Sequence, residues 1–161
     1  MGRELRKLNR AFLDAVFSYN KDEIRRLLKA GAEVDARDSE HNEAAIILAA
    51  KFADLEIVDL LLAAGAEIDA RDDQGRTALF FAEVGSEGFV RLLAAGADIN
   101  AVDHDGNTIL MNRVWRSASV AEVEELLRLG VNPDARNADG ESAHDLALSL
   151  GLVNVIERLA S

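Results

Sequence analysis

Cysteine is absent from the 161 residues. That excludes a disulfide framework, a thiolate zinc site and a cysteine nucleophile, and it fits a reducing compartment, so a cytoplasmic location is expected. Proline occurs once, and no Pro-, Ser- or Gln-rich tract marks a linker. Aromatics make up only 5% of the chain, so the core must come mostly from Leu, Ile, Val and Ala. No apolar run approaches the length of a membrane span. The first eighteen residues begin basic, but Asp14 and polar side chains break every apolar run that a secretory signal would need. Gly2 is followed by Arg6 where myristoylation wants Ser or Thr.

Positive charge is also short. Lys and Arg total 18 against 29 Asp and Glu, a formal charge of −11. Such a field repels a phosphate backbone, so a nucleic-acid partner is not expected. The basic clusters are short: Arg3, Arg6, Lys7 and Arg10, then Arg25, Arg26 and Lys29. The balance favours a basic or neutral protein partner, and it also keeps the chain in solution.

Catalytic and metal-binding patterns are missing as well. None of His41, His104 and His144 has a second ligand at metal-binding spacing. The stretches ending in Gly106 and Gly140 resemble parts of a calcium loop, but the second has Ala135 at position one and Leu146 at position twelve, and the first has its glycine too early. The segment from Gly85 to Gly88 lacks the lysine and preceding strand of a phosphate-binding loop. No cofactor, metal or catalytic residue is therefore expected. The remote alternative is a hydrolytic enzyme whose carboxylate pair only the fold would assemble.

What the chain has is a repeat. Gly-Ala-Glu-Val-Asp-Ala-Arg-Asp begins at Gly31, and versions of it return at Gly65, Gly96 and, more worn, Gly130. These glycines are spaced by 34, 31 and 34 residues, a period that marks stacked supersecondary units. Before each stands a helical stripe ending in two leucines: Leu27-Leu28, Leu61-Leu62, Leu92-Leu93 and Leu126-Leu127. The glycine stops the helix in a left-handed conformation. After it, an extended stretch carries one β-branched residue expected to be buried, Val34, Ile68 or Ile99. A tight turn follows at Asp72–Gly75, Asp103–Gly106 and Asn137–Gly140, and Asn42 takes the glycine place in a turn one residue longer. A second helix is expected after each turn, led by Thr77, Thr108 or Ser142. Ser119 with Glu122 matches a capping box, and Asn20 with Glu23 is a weaker version.

This pattern resembles the ankyrin repeat family over roughly the whole chain. The resemblance implies an all-α fold, a helix-turn-helix repeat solenoid with short β-hairpin fingers, in about five repeats including terminal caps. The expected boundaries are 3-37, 38-71, 72-102, 103-136 and 137-161, forming a single domain read as complete. The end units read as caps, polar on their outer side. The chain departs from the family pattern in places. The Thr-Pro-Leu-His box reads Thr77-Ala-Leu-Phe80 and Thr108-Ile-Leu-Met111, the third unit is two residues short near Gly85–Gly88, and Arg113 stands where alanine is usual. Stacking should be least regular there. Asn100 sits where animal ankyrin repeats are hydroxylated, but Asn is also the structural residue of that turn.

The resemblance places a partner on a concave face made of finger tips and inner-helix ends. Carried over residue by residue, the fingers supply Arg37 and Glu40, then Arg71, Asp73, Gln74 and Arg76, then His104, Asp105 and Asn107, and finally Asp139. The inner-helix ends supply Phe17, Lys51, Phe52, Trp115 and Arg116, with Phe17, Phe52 and Trp115 expected along one groove. Trp115 reads either as an interface anchor or as core filling in the irregular fourth unit. The expected function is a monomeric protein-interaction module without catalysis. An acidic inhibitor or immunity-type protein that masks a basic enzyme is the alternative, and a scaffold without a native partner is a third possibility.

Overall fold

A computed structural model describes residues 2–160. Among them the helices are α1 (Gly2–Phe17), α2 (Lys21–Lys29), α3 (Ala45–Lys51), α4 (Leu55–Ala63), a single 3-10 turn (Ala78–Phe80), α5 (Glu87–Ala94), α6 (Ile109–Trp115), α7 (Val120–Arg128), α8 (Ala143–Leu150) and α9 (Val153–Leu159). They pair as five helix-turn-helix units, the 3-10 turn standing in for one helix. The chain forms two compact units, one ending at Ala97 and the other beginning at Asp98. In the first, α1 packs on α3 and α3 on the 3-10 turn, while α2, α4 and α5 follow one another behind them. In the second, α6 packs on α8 and α7 on α9. Among the described residues no helix is long and apolar enough to cross a membrane.

The outer helices show why the leucine pairs recur. In each pair the first leucine is buried, and so is the residue one turn before it: Ile24 with Leu27, Val58 with Leu61, Phe89 with Leu92, Val123 with Leu126. The i, i+3 spacing places both on one helical stripe. The second leucine of each pair is only half-buried. The repeat glycines then end these helices alike. Gly31, Gly65, Gly96 and Gly130 all have positive φ. The next residue's N–H reaches back to the first leucine's carbonyl, as from Ala32 to Leu27 and Ala97 to Leu92, both at 3.0 Å. That bond, with the glycine N–H on the second leucine's carbonyl, is the Schellman arrangement, and it satisfies carbonyls the helix leaves open.

Four expectations change. First, the residues buried in the extended stretches are Ala36, Ala70 and Ala101, whereas Val34, Ile68 and Ile99 are half-buried. Close chain packing there admits a methyl group and leaves the branched side chain at the rim. Second, the fingers contain no strand among the described residues; two isolated antiparallel bridges, Arg37 with Ala44 and Val102 with Thr108, are all that forms. The fingers instead close on backbone bonds from Asp38 to Glu43, Asp72 to Arg76, Asp103 to Asn107 and Asn137 to Glu141, and the last three add a turn bond from Gly75, Gly106 and Gly140 back to Asp72, Asp103 and Asn137. The first of these spans one residue more, and Asn42 holds φ +55 inside it, so the longer turn led by Asn is present. The first Asp or Asn of each finger caps its turn: the Asp72 carboxylate, for example, accepts from the N–H of Gln74 and of Arg76.

Third, the inner helix of the third repeat is reduced to the 3-10 turn. The segment from Thr77 to its reversal at Gly85 is one residue shorter than that from Ala44 to Ala53. The Thr77 hydroxyl is buried without a hydrogen-bond partner, whereas the Thr108 hydroxyl caps α6 by accepting from Met111 N–H. Fourth, the outer side of the last unit is not polar. Leu148, Leu150 and Val153 are exposed, at half or more of their surface.

Two capping boxes are present among the described residues. Ser119 and Glu122 form the expected one, and Ser142 and Asp145 form another. The Asn20 side chain accepts from Glu23 N–H without the reciprocal bond. At α8 the Ser142 N–H and hydroxyl donate to the Asp145 carboxylate and hold its pKa below the ordinary value, with Arg136 adding a smaller pull. A carboxyl depressed in this way contributes stability above its unfolded pKa of about 3.9, and the contribution fades as pH falls through the lower folded value. Asp145→Ala should lower the melting temperature at pH 7, and the gap to wild type should close in acid. Melting curves between neutral pH and pH 2 check this.

The turns between inner and outer helices also run through left-handed residues: Tyr19, Ala53, Gly85, Ser117 and Gly151. A side chain in that conformation costs roughly 1 kcal/mol, which glycine avoids at some expense in unfolded-state entropy. Ala53→Gly should therefore stabilise by about 0.5 kcal/mol in urea unfolding. Gly106→Ala should do the reverse, by about 2 kcal/mol, because it combines that backbone strain with crowding. Its φ is +78, and an added Cβ would lie 3.2 Å from the backbone of Asn137 and Ala138.

Candidate functional site

In the N-terminal unit a groove of about 940 Å³ runs between α1 and the first finger. Leu13, Phe17, Leu48 and Phe52 give it an apolar floor. Arg6, Asn9, Arg10 and Asp14 form the helix wall, and residues from Glu33 to His41 form the finger wall. Phe17 and Phe52 meet edge to face with ring centroids 5.7 Å apart, and Tyr19 meets Phe52 at 5.6 Å. All three rings are substantially exposed. The side chains of Arg6, Arg10, Leu13 and Phe17 share one stripe of α1 because their spacing is i, i+4, i+7 and i+11.

The fingers are held from within by arginines. The Arg71 guanidinium donates to the carbonyl of Gly75 at 2.8 Å, and Arg136 to that of Gly140 at 2.6 Å. Arg37 does the same to Asn42 at 2.9 Å and also reaches the carbonyl of Arg71 on the next finger. Each thus bridges the turn of its own finger. Successive tips are also joined through backbone: Asp73 N–H donates to His41 at 3.0 Å, and Ala138 N–H to Asp105 at 2.8 Å. Asn100 is occupied likewise, accepting from Asn132 N–H at 2.8 Å and donating to the Gly130 carbonyl.

Two buried carboxylates underlie this face. Glu43 pairs with Lys51 at 2.8 Å, and Asp72 pairs with Arg76 at 2.7 Å. Both cations lie against the ring of Phe81, Lys51 Nζ at 5.1 Å from its centroid and the Arg76 guanidinium carbon at 4.6 Å. The ring's negative faces attract them, so one half-buried phenylalanine orients two ion pairs.

A profile of ankyrin repeats in three copies matches residues 12–103, more than half of the chain. The chain belongs to the ankyrin repeat family. No curated protein matches it closely enough to add a partner or an activity. Among the described residues of this ankyrin-repeat chain, no group of three or more His, Asp or Glu could hold a metal ion.

The residues expected at the partner face divide by what they already bind. Arg37, Arg71, Lys51, Arg76 and Asn107 are engaged within the fold. Asn107 donates to Asp103 and accepts from Asn137 at 3.0 Å. Glu40, Asp73, Gln74, His104, Asp105 and Asp139 stand exposed at the turns, bonded within the fold only through their backbones. Phe17 and Phe52 come together in the groove of the N-terminal unit. Trp115 ends α6 in the other unit with 65% of its surface exposed, so it does not fill the core, and Arg116 beside it is exposed too. Arg6 and Arg10, which the sequence marked only as part of a basic cluster, line the groove, and Tyr19, outside the expected face, packs on Phe52. The four-residue spacing from Arg6 to Arg10, continued to Phe17, was the signal available.

The Glu43–Lys51 pair gives a direct test. Glu43 is almost fully buried, so Lys51→Ala leaves its charge uncompensated and should destabilise by about 2 kcal/mol. Replacing both, as Glu43→Leu with Lys51→Met, should recover most of that loss. Urea unfolding of the three proteins measures it.

Proposed function

We propose that this ankyrin-repeat chain is a protein-interaction module without catalysis, working as one domain of five units bounded at 3-37, 38-71, 72-102, 103-136 and 137-161. The observation that carries the reading is solvent-exposed aromatic surface in and beside a groove, in a family whose repeats bind proteins. Phe17 and Phe52 serve as anchors in the N-terminal groove, and Trp115 with Arg116 serves as a second contact. Aromatics and arginine dominate binding energy because they bury large area and still donate hydrogen bonds. The exposed turn residues Glu40, Asp73, Gln74, His104, Asp105 and Asp139 form the rim. Arg37, Lys51, Arg71, Arg76 and Asn107 shape the surface by holding the turns and buried carboxylates beneath it. The module acts as a monomer in the cytoplasm.

A second reading is an acidic inhibitor that covers a basic protein. The carboxylates of Glu40, Asp73, Asp105 and Asp139 support it, since all four are exposed and form no ion pair. Binding through them would weaken steeply with salt.

Affinity capture with the full chain as bait, compared with Phe52→Ala and Trp115→Ala, tests the first reading. Both side chains are exposed, so the variants should stay folded. A protein held through these anchors should bind each variant roughly 30-fold more weakly, the scale of a 2 kcal/mol hot spot. A captured protein that binds all three baits equally would remove both anchors from the binding face.

A further inference from the structure

We propose that the ridge of Phe17, Tyr19 and Phe52 in the N-terminal unit receives an arginine side chain from a basic segment of a partner protein. This rests on that surface being the binding face, and it assigns the chemistry of what binds there.

The ridge stands where two grooves meet. Phe17 and Phe52 line the groove beside the first finger, and Tyr19 and Phe52 line a second groove of about 490 Å³ with Lys21, Asp54, Glu56, Asp59 and Arg91. Both carry more carboxylates than cations, six against four in the first and three against two in the second. In the second groove each cation is shared by two carboxylates. Lys21 reaches Glu56 at 2.7 Å and Asp54 at 3.6 Å, and Arg91 pairs with Asp59 and, at 2.7 Å, with Glu87. Each set therefore keeps a negative charge, and Glu56 first, then Asp54, holds the Lys21 pKa above its ordinary value.

Distance decides what the first groove contributes. Asp14 is exposed, forms no ion pair among the described residues, and lies one helical turn before Phe17, about 4.5 Å along the axis. By the same rise Arg10 lies about 10 Å and Arg6 about 16 Å from Phe17, beyond the roughly 8 Å over which physiological salt screens an exposed charge. Lys51, next to Phe52 in the chain, is neutralised by the buried Glu43, and the finger sets Asp35, Asp38 and Glu40 against Arg37. The field at the ridge thus has the sign of the whole chain, whose net charge is −11. A nucleic acid carries the wrong charge for it. A purely apolar occupant would take water from these carboxylates without replacing it.

The rings suit a cation as well. Phe17 and Tyr19 are inclined to Phe52 by 61° and 67°, and all three side chains keep between 38% and 48% of their surface exposed. A ring face attracts a cation, and a guanidinium can stack on it while donating to a carboxylate alongside. The chain uses this contact internally, where Lys51 and Arg76 lie against Phe81. Tyr19 adds a separate reason. It holds φ +56 at a turn where the other units place Ala53, Gly85, Ser117 and Gly151. A bulky aromatic kept in that conformation and left half in water points to a use outside folding.

The test uses the full chain and fluorescein-labelled peptides of about ten residues on one Gly-Ser background, carrying three Arg, three Lys, three Glu or only Ser. The arginine peptide should bind at least roughly tenfold more tightly than the glutamate and serine peptides, and roughly threefold more tightly than the lysine peptide. Phe52→Ala leaves the net charge unchanged and should weaken the arginine peptide about fivefold. Asp14→Asn with Glu56→Gln should weaken it at least as much while hardly moving the melting temperature, because an exposed ion pair adds little stability. An arginine peptide indifferent to Phe52→Ala feels only the general charge of the chain and overturns the proposal. Equal binding of the lysine peptide, or tighter binding of an oligothymidylate, overturns it too. If the serine or glutamate peptide binds as well as the arginine one and loses affinity with Phe52→Ala, the ridge stands as a binding face and only the arginine falls. If no peptide shifts the NMR signals of Phe17, Tyr19 or Phe52, both fall.

Discussion

Wherever the chain reverses between helices or at a finger tip, it does so at a residue of positive φ. Glycine fills most of these places, and Tyr19, Asn42, Ala53 and Ser117 fill the others. A short helix leaves its last carbonyls without partners, and a left-handed residue turns the next N–H groups back toward them. That geometry decides the rest. It lets helices of only seven to nine residues end cleanly after α1, and it presents one buried stripe per helix to its neighbour. It also forms four fingers without a strand among the described residues. Isolated helices this short are marginal in water, so their order comes from stacking.

The sequence made much of this readable because backbone demands leave particular residues behind. The spacing of Gly31, Gly65, Gly96 and Gly130 marked the helix ends, and Asn42 could be assigned its turn because asparagine tolerates left-handed φ. Ser119 with Glu122 stated its own cap. Other features depended on counting or on contacts that no local pattern carries. The spacing of 31 residues showed that the third unit is short, but not that its inner helix is reduced to a 3-10 turn. Ala53 and Ser117 gave no hint of positive φ because neither residue type is associated with it.

The candidate face was less legible than the fold, for a physical reason. A charged residue at a surface position can point outward or bind its own backbone, and the sequence looks the same in both cases. Arg37, Arg71 and Arg136 share the place before the turn, and each donates to that turn's carbonyl. Lys51 and Arg76 hold buried carboxylates. The side chains left over, Phe17, Phe52, Trp115, Arg6 and Arg10, are distinguished by having little to do inside the molecule. Exposure, with no side-chain hydrogen bond or ion pair to the rest of the fold, separates them from residues that hold it, and only the folded arrangement shows it.

The reach of Arg37 onto the carbonyl of Arg71 has a further consequence. Together with the bond from Asp73 to His41, it ties the first two fingers into a single plate. A partner that touches either finger meets a surface whose ordering entropy was already lost when the protein folded, so little more is lost on association. Recognition by this plate should resemble a key meeting a lock, with complementary shape fixed before contact, and a substitution at Arg37 should be felt as softness in both fingers at once.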